Sequence, residues 1–279
     1  MTRGRFQTRY LLYIPMVLAA LFYLLPLYIM LVTGFKSFRE VSLATMWELP
    51  SGLYLDNFIE AFRALAPYLA NSVRMVVPAA IISSIIGSIN GYALAKWKFP
   101  GADIIFPAML FGMFIPYQSI LIPLVEFMKD INIFGVSLYG TVPGLIVTHV
   151  IYGIPFTTLT FRNYYATIPR ELLEAGRMDG ANIFGIYRSI ILPISIPAFV
   201  VVLIWQFTSA WNDFLFAVVL TNPQAWPVTV ALNNMAGSQI IAWNVQMAGS
   251  FLAALPTLLV YIFLGNYFLR GLMAGALKG

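Results

Sequence analysis

The charged residues between Pro169 and Pro193 stand out in a sequence that is otherwise mostly apolar. Their neighbours recur at fixed separations, in the order Glu174-Ala175-Gly176, Gly180 after three residues, Ile190 after nine more, and Leu192-Pro193 after one more. Ala175 and Gly176 have almost no side chain, so another surface can approach them closely, and Glu174 offers a carboxylate beside them. We therefore predict a docking element for a second protein, with an ordinary interfacial helical hairpin as the alternative.

Two short helices are expected to position these residues. Pro169 suits the first helical position, Glu171 is favourable in the first turn, and Gly180 is placed to end the helix in a left-handed cap. Asn182 is a good cap for a second helix, in which apolar residues recur at helical spacing up to Pro193. The stretch thus predicts a helix, a glycine turn and a second helix.

Several kinds of chemistry are missing from the sequence. It contains no Gly-Lys dipeptide and hence no phosphate-binding P-loop, so the chain is not expected to be an ATPase. With one histidine and no cysteine, it offers no thiolate metal site, no disulfide and no nucleophile–base constellation of an enzyme. If the protein uses ATP, a partner protein is therefore expected to hydrolyse it.

The composition indicates an integral membrane protein. Of the 279 residues, 60% are hydrophobic and only 10% are charged, and the mean hydropathy is +0.83. The length fits one membrane domain of several helices. The net charge is +5, and the basic residues cluster in short loops between apolar spans. This distribution indicates that they orient the protein in the membrane rather than bind nucleic acid.

Six membrane-spanning helices are predicted by the test of about 20 apolar residues. We place them at residues 10–33, 75–95, 104–125, 136–161, 194–220 and 251–269. The alternative for the first is a signal peptide, but its charge-free run exceeds the ~7–15 residues of such a segment. It also ends at Thr33-Gly34-Phe35-Lys36 rather than at a small-residue cleavage site.

Basic residues predict the orientation, since they remain on the cytoplasmic side. Eleven of the 16 Lys and Arg residues lie in residues 1–9, in the loop around Lys96 and Lys98, in the segment 162–193, and in the tail 270–279. Both termini and the charged stretch are therefore predicted to be cytoplasmic. The loops 34–74 and 221–250 are then expected to lie outside.

Each outer loop has a predicted structure. In the first loop, Asp56 can cap a helix that Pro67 stops, and its apolar residues make one face suited to the membrane surface: Phe58, Ile59, Ala61, Phe62 and Leu65. The second loop has no Lys, Arg, Asp or Glu but holds amides and two tryptophans: Asn222, Gln224, Asn233, Asn234, Gln239, Asn244, Gln246, Trp226 and Trp243. It is either an interfacial aromatic loop or a contact surface for an outer partner.

The spacing of the charged stretch resembles the EAA loop of ABC-importer permease subunits, with Gly176 as the one departure where the family usually has alanine. Further stretches resemble carbohydrate permeases of the maltose-permease type: Asn71-Ser72-Val73, Gly91-Tyr92-Ala93-Leu94-Ala95, Phe99-Pro100-Gly101, Ile115-Pro116, Trp211-Asn212-Asp213-Phe214, residues 227–232, and the tail from Arg270 to Gly279. Residues 149–153 and 161–165 look most like glucose/mannose members.

This resemblance implies an all-α membrane protein with the type I ABC-importer permease fold, in which the EAA loop carries a coupling helix. The residues expected to couple to the ATPase are Glu171, Glu174, Ala175, Gly176, Arg177, Asp179, Gly180, Ile190, Leu192 and Pro193. Such subunits work with a second permease subunit, two ATP-binding subunits and an external sugar-binding protein. ATP and Mg²⁺ are then bound by the partner ATPase, and we expect no cofactor, metal or nucleic acid on this chain.

Polar residues within the spans are candidates for the sugar path, because an unpaired polar group in hydrocarbon is costly and usually faces a cavity or another helix. They are Gln206, Ser209, Trp211, Asn212, Asp213, Asn90, Tyr117, Gln118, His149 and Tyr152. There are two alternatives to a role in the sugar path: Thr208 and Ser209 form hydrogen bonds between helices, and Asp213 caps a broken helix. For His149, an interhelical hydrogen bond is favoured over proton coupling, since its own span has no carboxylate.

The substrate is expected to be a neutral mono- or disaccharide of glucose/mannose type. A glycerol-phosphate is the less favoured substrate, since few basic residues lie in the spans. An ion-coupled secondary transporter of a small polar solute is the rival function. It predicts intramembrane acid pairs or an inverted repeat, and the sequence shows neither.

Overall fold

The computed structural model describes residues 3–133, 135–237 and 242–276. Its long helices are α1 (Arg3–Gly34), α2 (Asp56–Lys96), α5 (Val142–Ala166), α9 (Ile196–Trp211) and α12 (Trp243–Ala276). Its shorter helices are α3 (Ala102–Gly112), α4 (Leu121–Asp130), α6 (Arg170–Met178), α7 (Ile183–Ile186), α8 (Leu192–Ile194), α10 (Leu215–Leu220) and α11 (Val228–Ala236). A hairpin of two-residue strands, β1 (Asn132–Ile133) and β2 (Val136–Ser137), precedes α5. The predicted all-helical class is confirmed.

Four helices in the described part of the chain are long and apolar enough to cross a membrane: Tyr13–Gly34, Asp56–Lys96, Val142–Ala166 and Trp243–Tyr267. Two pairs of shorter helices pass the same test together but are bent. Ala102–Gly112 and Tyr117–Asp130 meet at 91°, and Ile183–Ile194 and Ile196–Trp211 meet at 76°. These helices amount to six spans when each bent pair counts as one.

Prolines explain the two bends, one inside the predicted third span and one at the start of the predicted fifth span. Pro116 lies in the break between the helices of the first bent pair, where it disfavours helical backbone at the preceding residue. The second bend falls at Ser195, one residue after α8, because Pro197 has no N–H to bond to the carbonyl of Pro193. After α9 the chain breaks again before α10.

The prediction that Pro67 stops a surface helix is wrong. Helix α2 begins at Asp56 as its first residue, rather than being capped by it, and continues through Pro67. Its 41 residues extend ~60 Å at ~1.5 Å per residue, about twice the hydrocarbon thickness. Ala61 and Leu65 are buried in the protein, whereas Ile59 and Phe62 are exposed, so only part of the predicted apolar face packs internally. A proline inside a helix costs one hydrogen bond, which the packing of its neighbours can offset.

Other boundaries also differ from the prediction. Helix α5 begins at Val142, after β2 at the start of the predicted span. The outer segment 221–250 contains α11, and α12 begins at Trp243, eight residues before the predicted sixth span. Gln239 and the tail residues Leu277, Lys278 and Gly279 lie outside the described residues.

The described chain forms two compact units. The first, Met1–Pro67 with Ala231–Leu255, has a small core of Ala61, Val245 and Ala248, against which Phe58 packs. A buried amide network ties its helices together. Nδ2 of Asn57 donates to the carbonyls of Gly34 and Lys36 at 2.8 Å each, and Asn244 Nδ2 donates to Asn57 Oδ1 at 2.9 Å.

In the second unit, Tyr68–Val230 with Pro256–Gly279, small residues let α2 and α5 pack closely. Ser83, Gly87 and Gly91 recur every four residues on one face of α2. A Cβ placed on Gly91 would lie 2.7 Å from the backbone nitrogen of Arg162. Thr157 Oγ1 donates to the carbonyl of Ser83 at 3.0 Å. This is the small-residue packing typical of membrane helices.

Candidate functional site

The turn between α6 and α7 has the geometry that the sequence predicted. Gly180 has φ +81°, so the left-handed cap is confirmed. The N–H of Gly180 donates to the carbonyl of Arg177 at 3.0 Å, and the N–H of Ala181 donates to that of Gly176 at 2.9 Å. These two bonds make a Schellman motif, which satisfies carbonyls at the end of α6.

The starts of the two helices also follow local signals. Pro169 precedes the first residue of α6 by one position, and Glu171 lies in the first turn as predicted. Asn182 caps α7, since its Oδ1 accepts from the N–H of Gly185 at 2.8 Å. The helix then passes through a π-helical turn, Tyr187–Ile191, and Pro193 lies within α8 rather than after the end of the helix.

Gly176 faces the second helix of this loop and not an outside surface. It is buried, and a Cβ placed on it would lie 2.9 Å from Ile190 Cδ1 and 3.3 Å from Ile186 Cγ1. The expectation that Gly176 is open to a partner is therefore wrong, because the spacing of Gly176 and Ile190 lets α6 pack on the second helix. Ala175 remains exposed.

The opposite side of α6 and the adjoining turn are exposed. Polar and charged side chains on this surface are Glu171, Glu174, Arg177 and Asp179. Large apolar side chains lie among them: Leu172, Met178, Ile183 and Phe184, of which Met178 is 88% exposed. We call these eight residues, with Ala175, the coupling surface. Leu192 and Pro193, the last of the predicted coupling residues, are exposed as well, and Ile190 is half buried.

Residues around the end of α2 hold this loop in place. The guanidinium of Arg177 lies over the ring of Trp97, 4.4 Å from its centroid. Lys96 Nζ donates to the carbonyl of Ile168 at 2.5 Å, and Tyr92 OH donates to that of Ile183 at 3.2 Å. The loop that follows α2 and the coupling surface therefore lie at the same end of this unit.

A buried hydroxyl cluster lies beneath the loop. Ser88 Oγ is hydrogen-bonded to Tyr165 OH at 2.6 Å and to Tyr187 OH at 2.8 Å. Tyr187 belongs to the π-helical turn, so the cluster connects the second helix of the loop to α2 and α5. Ser88 and Trp97 were not predicted as site residues. The partners of Ser88 are 77 and 99 residues away, and no local pattern relates them.

A second group of predicted site residues meets where α5 faces the break between α9 and α10. His149 Nε2 lies 3.6 Å from Asp213 Oδ2. The carboxylate of Asp213 accepts from the N–H groups of Phe216 at 3.3 Å and Ala217 at 3.0 Å, so it caps α10. The carboxylate missing from the span of His149 thus comes from the break between α9 and α10.

Gln206 lies on the other side of His149. Its Nε2 donates to the carbonyl of His149 at 3.0 Å, and Gly153 leaves room for it, since a Cβ there would lie 2.7 Å from Gln206 Cδ. His149 Nε2 and Gln206 Oε1 are buried and have no hydrogen-bond partner among the described residues. The interhelical bond favoured for His149 is therefore made by its carbonyl and not by Nε2.

Aromatic rings complete this group, which we call the polar cluster: His149, Gln206, Asp213, Tyr117, Tyr152 and Phe216. The ring of Phe216 lies 5.2 Å from that of Tyr117, 4.9 Å from Tyr152 and 6.0 Å from His149. Phe216 was not predicted, because a phenylalanine in an apolar run carries no signal. In the described chain, no three His, Asp or Glu side chains are grouped to hold a metal.

The other predicted path residues have different surroundings. Trp211 is buried and stacks on Phe207, with ring centroids 5.5 Å apart. Ser209, Asn212 and Gln118 are exposed, and Asn90 is half buried on α2. Thr208 Oγ1 bonds within its own helix, to the carbonyl of Ile204 at 2.8 Å.

Known proteins resemble the chain along its whole length. A probable ABC transporter permease protein of Pyrococcus horikoshii is 47% identical over 274 residues, covering 98% of each chain. A xylose/arabinose import permease protein of Haloferax volcanii is 37% identical over 276 residues, covering 91% of this chain and 89% of the relative. A bacterial ABC transporter involved in alginate import has the same fold, with a TM-score of 0.76, 22% identity, and coverage of 96% and 99%.

The family assignment rests on residues 83–273, which match the profile of the binding-protein-dependent transport system inner membrane component. This range contains the coupling surface, the hydroxyl cluster and the polar cluster. The chain therefore belongs to this family of multi-pass membrane proteins, as a permease component of an ABC importer and not an enzyme.

Proposed function

We propose that this chain is a membrane-spanning subunit of an ATP-driven sugar importer, and that its coupling surface docks on a cytoplasmic ATPase subunit. The sugar specificity is supported by the xylose/arabinose import permease at 37% identity and by the resemblance to carbohydrate permeases. We infer a neutral mono- or disaccharide, with a monosaccharide of glucose/mannose type favoured by the resemblance of residues 149–153 and 161–165.

The coupling surface is the observation that carries this proposal. One side of α6 is packed on the second helix through Leu173 and Gly176, while the other exposes Glu174 and Met178. A short helix that is anchored on one side, and exposes both charge and apolar area on the other, suits a protein partner. The apolar area supplies affinity, and the carboxylate supplies orientation.

The coupling surface has rigid connections to the membrane helices, which supports a role in transmitting movement. Arg177 is stacked on Trp97 at the end of α2, and Tyr187 is bonded to Ser88. We propose that ATP binding closes two partner ATPases, α6 moves with the cleft that holds it, and this chain and a second permease open outward. An external binding protein then delivers the sugar, and hydrolysis resets the inward state.

The proposed orientation puts the coupling surface and both termini in the cytoplasm. Basic residues favour this arrangement, since eleven of 16 fall on that side. The contact between Arg177 and Trp97 supports this orientation. It joins the charged stretch to the loop after α2, and the basic residues of each segment separately predict a cytoplasmic position.

For the sugar path, we propose that Ser209 and Asn212, both exposed at the end of α9, contact the sugar first. Asp213 is engaged in capping α10, and Trp211 is buried, so these two are better explained as supports. The unpartnered Gln206 Oε1 becomes a sugar contact only when the helices separate, since it is buried in this conformation.

Charge reversal at Glu174 tests the docking proposal. Reversing an interfacial charge costs ~2 kcal/mol or more, which is roughly a 30-fold loss of affinity. In the importer reconstituted in vesicles, Glu174→Lys should therefore abolish most sugar uptake and its coupled ATP hydrolysis. Glu126→Lys, the same reversal at an exposed position of α4, is the control and should retain both. Wild-type coupling in an assembled Glu174→Lys importer would refute the docking proposal.

A cross-link gives an independent readout in case the lysine variant fails to assemble. The chain has no cysteine, so a single Met178→Cys can be cross-linked without background. We expect it to join the ATPase subunit, whereas Leu49→Cys, exposed in the loop 34–74 that is proposed to lie outside, should not. The opposite pattern would reverse the proposed orientation.

A further inference from the structure

In the loop between α1 and α2, residues 35–55, one lysine is buried while several large apolar side chains are exposed beside the exposed charges of Arg39 and Glu48. Lys36 is only 2% exposed, and its Nζ donates to the carbonyl of Thr45 at 2.6 Å. Buried lysine is rare unless its charge is satisfied. Here a backbone carbonyl accepts one of its three donor hydrogens, and the carboxylate of Glu40 interacts with its charge.

The other polar groups of this loop also bond to one another. Thr45 Oγ1 donates to the carbonyl of Glu40 at 2.8 Å and is hydrogen-bonded to Ser42 Oγ at 2.8 Å. The Ser51 hydroxyl donates to the carboxylate of Glu40, which lowers the pKa of that carboxyl. The N–H of Ser37 donates to the same carboxylate at 3.2 Å. The loop therefore satisfies many of its polar groups without a solvent partner.

Its large apolar side chains point outward instead. Leu43 is 89% exposed, Leu49 74% and Leu53 73%, and Trp47 is half exposed. Burying one such leucine is worth ~1.5–3 kcal/mol, so leaving three in water forgoes a large stabilisation. This distribution fits an apolar environment around the loop.

A hydrogen bond to α1 sets the depth of the loop. Tyr28 OH donates to the carbonyl of Trp47 at 2.9 Å. Tyr28 precedes the end of α1 at Gly34 by six residues, or ~9 Å at ~1.5 Å per residue. The charge-free run of α1, residues 10–33, covers ~36 Å on the same scale, slightly more than the ~30 Å hydrocarbon layer. Trp47 is therefore level with the hydrocarbon boundary.

We propose that the loop 35–55 is a membrane anchor, which inserts Leu43, Trp47 and Leu49 among the lipids at the end of α1. At that depth the hydrogen bond from Tyr28 stabilises the loop, since the carbonyl of Trp47 would otherwise lack a partner and an unpaired carbonyl is costly in hydrocarbon. Tryptophan is enriched at this depth of the bilayer. The proposal rests only on the chain being a membrane protein and is independent of the coupling surface.

The alternative occupant is an external protein docked on the same leucines. Two observations favour lipid. The bond to Tyr28 holds the loop beside α1, at the level of the hydrocarbon boundary. Large apolar side chains of α1, Phe22 and Tyr23 among them, are exposed as well. The anchor therefore extends the lipid-facing surface of the first span.

Spin labels measure the depth directly. In the assembled importer in phosphatidylcholine/phosphatidylglycerol vesicles, nitroxides are attached to Leu43→Cys or Leu49→Cys in a chain that has no cysteine of its own, with cysteine-free partner subunits. Glu60→Cys, exposed on α2, is the water reference, and Leu18→Cys, exposed on α1, is the lipid reference. The readout is the ratio of relaxation by oxygen to relaxation by a polar nickel complex.

We expect the ratio at Leu43→Cys and Leu49→Cys to exceed that at Glu60→Cys by roughly threefold or more, since hydrocarbon excludes the polar complex. It should stay high when the external binding protein is added. A ratio equal to that of Glu60→Cys would overturn the proposal. So would a water-like ratio whose labels become immobile only when the binding protein is present, because it would identify the loop as a protein-docking surface.

Discussion

Replacing Gly87 by alanine tests whether small residues bring α2 and α5 together. A Cβ on Gly87 would lie 2.5 Å from Thr157 Cβ, 2.8 Å from its carbonyl carbon, and in direct conflict with its hydroxyl oxygen. Thr157 is β-branched and its side chain is stiff, so the clash is relieved only by moving the helices apart. The hydrogen bond from Thr157 to Ser83 then weakens.

The size of the effect follows from three contributions. Overpacking costs ~1–3 kcal/mol, and the lost hydrogen bond costs ~1 kcal/mol. Alanine regains ~1 kcal/mol of helix propensity over glycine. The expected net loss is therefore ~1–3 kcal/mol, which lowers the Tm of a chain of this size by roughly 2–4 °C per kcal/mol.

Thermal denaturation of the purified permease in detergent, followed by the fraction that remains monodisperse, measures this loss. Two matched substitutions serve as controls. Gly176→Ala meets side-chain atoms only, the flexible end of Ile190 at 2.9 Å and Cγ1 of Ile186 at 3.3 Å, and Gly265→Ala has no described atom within 4 Å of its new Cβ. Both should leave Tm nearly unchanged or raise it. If Gly87→Ala behaves like these two, close packing at Gly87 is not what joins the helices.

Two further substitutions test the clusters. Ser88→Ala leaves the hydroxyls of Tyr165 and Tyr187 without their shared partner, which costs ~1–3 kcal/mol of stability. We expect a lower Tm and less sugar uptake per ATP hydrolysed. An unchanged ratio of uptake to ATP hydrolysis would restrict Ser88 to a structural role. Asn212→Ala should raise the KM for sugar uptake several-fold and leave basal ATP hydrolysis unchanged. Asn163→Ala, at another exposed asparagine, is the control. An unchanged KM in Asn212→Ala would show that Asn212 is not in the sugar path.

Tertiary structure overrode some predictions made from local residue types. Proline usually ends a helix, yet α2 continues through Pro67. Ala61 and Leu65, on the same helix, are buried within the first unit and hold this part of the helix in place. Conversely, Pro116 breaks a predicted span, with the described helices on either side meeting at 91°. Whether a proline ends a helix depends on the packing that offsets the lost hydrogen bond, and that packing is not local.

The sequence by itself determined the membrane class and the turn of the coupling loop. Hydropathy is a sum over residues, and the caps at Gly180 and Asn182 involve atoms within one helical turn, so no distant contact is needed to predict them. Only tertiary structure decided that Gly176 is buried against Ile190 and that Asp213 faces His149. These pairings depend on how whole helices pack, and residue spacing does not encode that packing.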